Sequence, residues 1–375
     1  MFRQLFRIEI DESRIYGLDV LRAISIFFVV LGHAIYLAPK STHSIHKWLT
    51  VDGVLFFFVL SGYLIGGILI RSFEDHVSVK QMLNFWKRRW FRTLPTYYLV
   101  LSVIVIIYYL QKDRLYADNY IFSHFLFLQN FLISSKSIFS VAWSLSVEEW
   151  FYILMPVVFL FLKKLLGFNS KLSFLCTIIL FIFIPLFLRM IRYDQLASMG
   201  NYDWDHQFRK SVLLRLDSII FGVLGAYFNH YQKSIWSYKS KFLMIIGIVG
   251  IVSIHVLEFI YLPDFLIYKS IFSFTLKSVF TLMLLPYLSQ WKNGRGVIYK
   301  FVTIVSVVSY SLYLLHYSIV QELIIQNLSI TNDSSIINNS FIVIKYFSYW
   351  IISYLLSVLL FKYFELPMTK LRDYF

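Results

Sequence analysis

One cysteine in 375 residues, Cys176, excludes an intrachain disulfide and any metal site built on several thiolates. It stands in an apolar run and reads as a packing residue. Charge is almost as scarce. Asp, Glu, Lys and Arg make up 15% of the chain, whereas a soluble domain carries about a quarter. A chain so poor in charge has too little polar surface to live in water. Internal repeats are lacking, and so is any long linker that would separate domains. We therefore read residues 1–375 as one domain.

What is abundant is apolar: 58% of residues are hydrophobic and 20% aromatic. Runs long enough to cross a bilayer, about 17–25 residues each, fall near 18–38, 51–70, 93–111, 147–166, 172–190, 211–229, 242–262, 266–289, 300–325 and 341–364. The run near 120–133 is too short and reads as re-entrant or interfacial. The first run contains Arg22 and has no convincing cleavage site, so it reads as a retained helix and not as a signal peptide. The predicted fold is all-α: a polytopic transmembrane bundle of about ten spans with one short re-entrant or interfacial segment.

The net charge of +14 does not indicate nucleic acid, because Lys and Arg cluster in short loops between apolar runs. Arg3, Arg7 and Arg14 precede the first span. Further clusters are 71–92, Lys163/Lys164/Lys171, Lys233/Lys239/Lys241, Lys292/Arg295/Lys300 and Lys370/Arg372. With ten spans and a non-crossing 120–133, all of these fall on one side. The positive-inside rule makes that side, and both termini, cytoplasmic. The loop at 331–340 is polar and reads as an external connector.

Ionisable residues inside spans mark function by default. Asp19, Arg22 and His33 share the first span. Arg22 and His33 are eleven residues apart, about three turns, so they share a face about 16 Å apart along the axis. That is a polar track with a titratable base at its outer end. A lone histidine more often just hydrogen-bonds across a bundle, but Asp19 and Arg22 on the same helix favour function. A neutral imidazole suits the role of general base toward an alcohol. Phe57–Gly67 holds small residues that let helices approach closely. Ser61 has no nucleophile-elbow context.

Lys87, Arg88, Arg89 and Arg92 precede Pro95 at the start of the third span. Positive-inside flanking explains the lysine. Guanidinium groups also grip phosphates bidentately, and Arg89 and Arg92 are helix-face neighbours. Trp143–Tyr152 opens the fourth span on the outer side. Glu148 there is equally readable as a dipole complement or as a functional carboxylate, and Glu149 more readily as the former. Arg215 and Asp217 read as an internal ion pair or as substrate contacts. Ser309, Tyr313 and His316 lie on one face of the ninth span, where His316 can meet His33. Glu365 and Pro367 read as a helix end.

Taken in order, Gly17–His33, Phe57–Ile65, Arg88–Pro95, Trp143–Tyr152, Arg215–Gly222, Ser309–His316 and Glu365–Pro367 resemble the acyltransferase-3 family of integral membrane acyltransferases along nearly the whole chain. The resemblance implies acyl transfer, commonly acetyl, from cytoplasmic acyl-coenzyme A to a hydroxyl of a glycan or lipid-linked saccharide, in the bacterial plasma membrane. The family's Arg-x10-His element maps onto Arg22 and His33, and its Arg-x-x-Arg element onto Arg89 and Arg92. Two positions depart from the family. Leu55 stands where an acidic residue often precedes the Phe-Phe-Val-Leu-Ser-Gly block, with Asp52 the nearest carboxylate. Trp150 replaces the Gln of Glu-Glu-Gln-Phe-Tyr. Some relatives carry a hydrolase domain after the last span; none is expected here, so transfer is expected to occur at the membrane core itself.

The expected roles are therefore these. His33, Arg22, Asp19 and Glu148 carry catalysis. Arg88, Arg89 and Arg92 hold the acyl-coenzyme A donor, acetyl-coenzyme A in the simplest case. Arg215, Asp217, Tyr313 and His316 face the acceptor. No metal and no nucleic acid are expected. The alternative is a secondary transporter for a sugar or anionic metabolite, since intramembrane His, Asp and Glu also build proton relays. Against it stands the lack of an inverted repeat or of paired broken helices.

Overall fold

The structure, a computed structural model, describes residues 8, 13–74, 77–110, 121–134, 137–197, 202–260, 265–328 and 335–372. Arg3 and Arg7, and parts of the 261–265 and 331–340 connectors, lie outside the described residues. Every regular element among the described residues is helical. The main ones are α1 (Tyr16–Ala34), α2 (Gly53–Phe73), α3 (Val79–Leu110), α4 (Ala142–Lys164), α5 (Ser170–Ala197) and α6 (Leu216–Tyr231). They are followed by α7 (Ser240–Ile260), α8 (Ser273–Leu288), α9 (Gly296–Val307), α10 (Ser309–Leu315), α11 (Ser335–Leu360) and α12 (Leu366–Leu371).

Eight stretches are long and apolar enough to cross a membrane, and a ninth is the bent pair Gly296–Val307 and Ser309–Ile325, which turns by 55°. With this many apolar helices the chain is an integral membrane protein. The one expected span left over, 211–229, is only partly helical. α6 has 16 residues and begins at Leu216. The missing N-terminal part is supplied by irregular backbone. Val212 N–H donates to the Asn130 carbonyl (2.9 Å), and Asn130 Nδ2 donates to the Lys210 carbonyl (2.6 Å) and the Trp143 carbonyl (2.9 Å). Residues 121–134 are thus a short helical turn and loop lodged beside α6. Such backbone is tolerated at membrane depth only where protein encloses it.

The two ends of the bundle differ. At one end the Tyr16 N–H donates to the Lys292 carbonyl (3.1 Å), Lys163 Nζ donates to the Phe73 carbonyl (3.2 Å), and His230 meets Glu74 (2.9 Å). This basic end gathers the clusters at 71–92, 163–171, 233–241, 292–300 and 370–372 that the sequence places on one side. At the opposite end His255 Nε2 donates to the Trp48 carbonyl (2.7 Å) and Ser134 N–H donates to the His206 carbonyl (3.2 Å). The core is the crossing of α2 and α6. A Cβ on Gly62 would lie 1.9 Å from the Ile219 carbonyl oxygen, and one on Gly222 would lie 2.0 Å from that of Val59. Only glycine permits this approach.

Candidate functional site

A cavity of about 640 Å³ opens between α2, α3, α4, α10 and the C-terminal turn. Val54 and Ser72 both line it. They are eighteen residues apart on one helix, so the cavity follows α2 for about 27 Å, close to the roughly 30 Å of a hydrocarbon core. Arg71, Arg88 and Arg372 stand at its basic end, Arg22, Arg89 and Arg92 deeper, and Ser144 and Tyr313 at its far end.

The arginines reach inside because α3 starts earlier than its apolar run. Its first residue is Val79, not a residue near 93, so the polar turns carrying Arg88, Arg89 and Arg92 belong to the helix. Arg89 is correspondingly not at the membrane edge. Its Nη2 donates to Glu148 Oε2 (3.3 Å) and to the Tyr152 hydroxyl (2.7 Å), and Tyr152 donates to Glu148 (2.8 Å). Ser61 hydrogen-bonds the same hydroxyl from α2. Glu149 accepts from Thr93 Oγ1 (2.9 Å) and faces away from the cavity wall that Glu148 lines. Arg22 and Arg92 line the cavity with no hydrogen bond or ion pair among the described residues. These two cations are therefore available to an anion, whereas Arg89 is already engaged with Glu148.

His33 and His316 come together beyond the far end. His33 Nδ1 lies 2.9 Å from His316 Nε2, and His316 Nδ1 lies 3.0 Å from the Leu312 carbonyl oxygen. Neither ring lines the cavity. Tyr313 stands between: its ring is 5.8 Å from that of His316 and 6.5 Å from that of Phe57. Its hydroxyl is held by Ser144 Oγ (2.6 Å) and the Val141 carbonyl (2.9 Å).

The remaining expected site residues sit elsewhere. Asp19 takes both carboxylate oxygens to Arg14 and accepts from Ser306 Oγ (2.6 Å), tying the start of α1 to α9. It makes no bond to Arg22 and does not line the cavity. Asp217 pairs with Arg189 (2.7 Å), not with Arg215, and both partners are fully buried. Arg215 is buried against the Phe274 ring at 4.0 Å and donates to the Arg209 carbonyl (3.2 Å). Asp52 caps α2 by accepting from Leu55 N–H (3.3 Å), and Leu55 itself is buried. Asp205 lies in the connector that precedes α6. Burial works against its charge, but Arg209 and Lys210 override it and hold its carboxyl well below the usual range.

Residues 15–366 match the Acyltransferase domain family, acyltransferase 3. The chain belongs to this family. It is 33% identical over 162 residues to the O-acetyltransferase OatA of Staphylococcus aureus (strain NCTC 8325 / PS 47), covering 39% of this chain and 25% of that protein. It is 34% identical over 173 residues to a putative O-acetyltransferase of Staphylococcus aureus (strain COL), covering 42% of this chain and 27% of the relative. The chain thus spans about a quarter of the length of these curated relatives. No solved structure matches it.

For this acyltransferase domain, sequence reasoning missed several cavity residues. Glu365, read as a helix end, turns into the cavity from a π-helical turn (Phe361–Glu365) and accepts a short hydrogen bond from Ser311. Arg71 and Arg372 were counted only as flanking charge. Arg189 carried a signal that went unused: it is a charge at the end of the 172–190 apolar run.

Proposed function

We propose that the chain is a membrane O-acyltransferase. It takes an acyl group, acetyl in the simplest case, from acyl-coenzyme A at the basic end and passes it to a hydroxyl of a glycan or lipid-linked saccharide at the opposite end. The observation that carries this reading is the cavity itself. It runs nearly the depth of a bilayer, with Arg22 and Arg92 inside, making no ion pair among the described residues, and the His33–His316 pair past its far end. The acetyl group is suggested by the names of the two Staphylococcus aureus relatives. The positive-inside rule puts the basic end and both termini in the cytoplasm, and we assign the protein to the plasma membrane.

In this reading Arg22, Arg88 and Arg92 hold the donor's phosphates, with Arg71 and Arg372 at the mouth. Guanidinium forks suit phosphate oxygens. Arg89 fixes Glu148 and Tyr152 on the wall, a positioning task. The donor's long arm fills the apolar stretch between Phe57 and Leu145 and brings its thioester to Tyr313 and Ser144. The acceptor hydroxyl oxygen attacks the carbonyl carbon, forming a C–O bond as the C–S bond breaks. His33 takes the hydroxyl proton and returns it to the departing thiolate. Tyr313 and Phe57 shift aside for this, since they separate the cavity from the histidines. No step calls for a metal.

Acyl-coenzyme A binding to the detergent-purified protein tests the reading and separates it from a transporter. Arg22→Gln/Arg92→Gln should weaken acetyl-coenzyme A binding at least about 100-fold, at about 1.4 kcal/mol per tenfold. His33→Ala should bind normally and lose about 10²–10⁴ in transfer rate. Solute uptake without any coenzyme A binding would contradict the proposal.

A further inference from the structure

The two histidines form an ordered chain whose proton positions follow from one fact: a backbone carbonyl can only accept. The Leu312 oxygen lies 3.0 Å from His316 Nδ1, so that nitrogen carries hydrogen. A neutral His316 then has its lone pair on Nε2. Since His33 Nδ1 is 2.9 Å from that atom, His33 Nδ1 must be the donor. The remaining nitrogen of His33, Nε2, is left with the basic lone pair. His316 is fully buried, sits at the junction of α10 with the π-helical segment His316–Ile325, and does not touch the cavity.

We infer that His316 is a positioning residue that holds His33 in the tautomer whose lone pair lies on Nε2. This replaces the acceptor-contact role the sequence assigned to His316, and it rests on His33 being the base. The arrangement does for His33 what a buried carboxylate does in a hydrolase triad, where the third group fixes the tautomer and steadies the imidazolium that forms. Here a neutral ring leaning on a peptide carbonyl does it, which adds no charge at membrane depth, where an isolated charge costs several kcal/mol.

The test is ¹⁵N NMR of histidine-labelled protein in detergent. The chain has nine histidines, and the His33 signals are those that vanish in His33→Gln. The wild-type protein should show His33 protonated on Nδ1 with an unprotonated Nε2. His316→Leu should lose this tautomer, and His316→Gln, whose side-chain oxygen can still accept, should keep it. In parallel, His316→Leu should lower kcat for transfer from acetyl-coenzyme A by about 100-fold or more. KM for that donor should not change, and His316→Gln should recover most of kcat. A wild-type His33 protonated on Nε2 overturns the inference even if the leucine variant fails to fold. So does an unchanged tautomer in His316→Leu, or a loss confined to KM. If the spectra are as expected but His33→Ala still transfers acyl groups, the relay stands and the assignment of His33 as base falls.

Discussion

Arg189 and Asp217 show what a buried charge does when it is not at the site. Both side chains are fully buried, 2.7 Å apart, and Thr275 Oγ1 bridges them at 2.8 Å to each. Arg189 also donates to the Leu214 carbonyl (2.8 Å), holding the irregular turn before α6. Breaking such a pair leaves one charge uncompensated and typically costs about 3–5 kcal/mol. Arg189→Met should therefore lower the detergent melting temperature sharply. Arg189→Met/Asp217→Leu, which removes both charges, should regain much of the loss. A single variant as stable as wild type would show that the pair is not a structural tie. The same contrast marks Arg22 and Arg92, whose side chains line the cavity beside Glu365 with no hydrogen bond or ion pair among the described residues. A cation kept unpaired inside a membrane protein awaits a ligand or water. The sequence shows which residues are charged inside spans. It does not show which of them neutralise one another: Asp217 takes a partner twenty-eight residues upstream, and Asp19 one five residues upstream.

At the scale of elements, most spans were legible because long apolar runs have few structural options. Two were misjudged for physical reasons. The start of α3 is too polar for hydropathy to include it, yet Trp86 anchors it by donating to the Tyr152 carbonyl (2.9 Å). That extension moves Arg89 from the membrane edge to the middle of the cavity. α6 is shortened where the Val212 and Leu213 N–H groups bond to the Asn130 and Phe131 carbonyls instead of continuing the helix, a long-range pairing that periodicity cannot reveal. The small-residue reading of α2 was legible in Gly62, though its partner helix was not. Gly222→Ala should force α2 and α6 apart, since the new Cβ would fall 2.0 Å from the Val59 oxygen. Overpacking of this kind costs about 1–3 kcal/mol or more. Thermal unfolding in detergent should show the drop, and Ser61, carried on the displaced α2, should lose its register with Tyr152. An unchanged melting temperature would mean that the crossing is looser than the glycine contacts require.

Across the whole molecule, one bundle carries two unlike ends. The basic end bears the arginine-lined mouth, and the opposite end bears the histidine pair, the 121–134 segment and the Asp205–Arg209–Lys210 cluster. The cavity runs between them, and Tyr313 with Phe57 closes it before the histidines. The general plan was legible in the ordered motifs and in the placement of Lys and Arg. The closed junction was not, because it depends on how the bend between α9 and α10 seats Tyr313 against Ser144. The sidedness of acyl transfer tests the central claim most directly. Radiolabelled acetyl-coenzyme A is added to inside-out and to right-side-out vesicles of the protein's native membrane, and label in membrane glycan is counted. Labelling should occur in the inside-out vesicles, where the donor meets the basic end, and should vanish with His33→Ala. Equal labelling of intact right-side-out vesicles would contradict it.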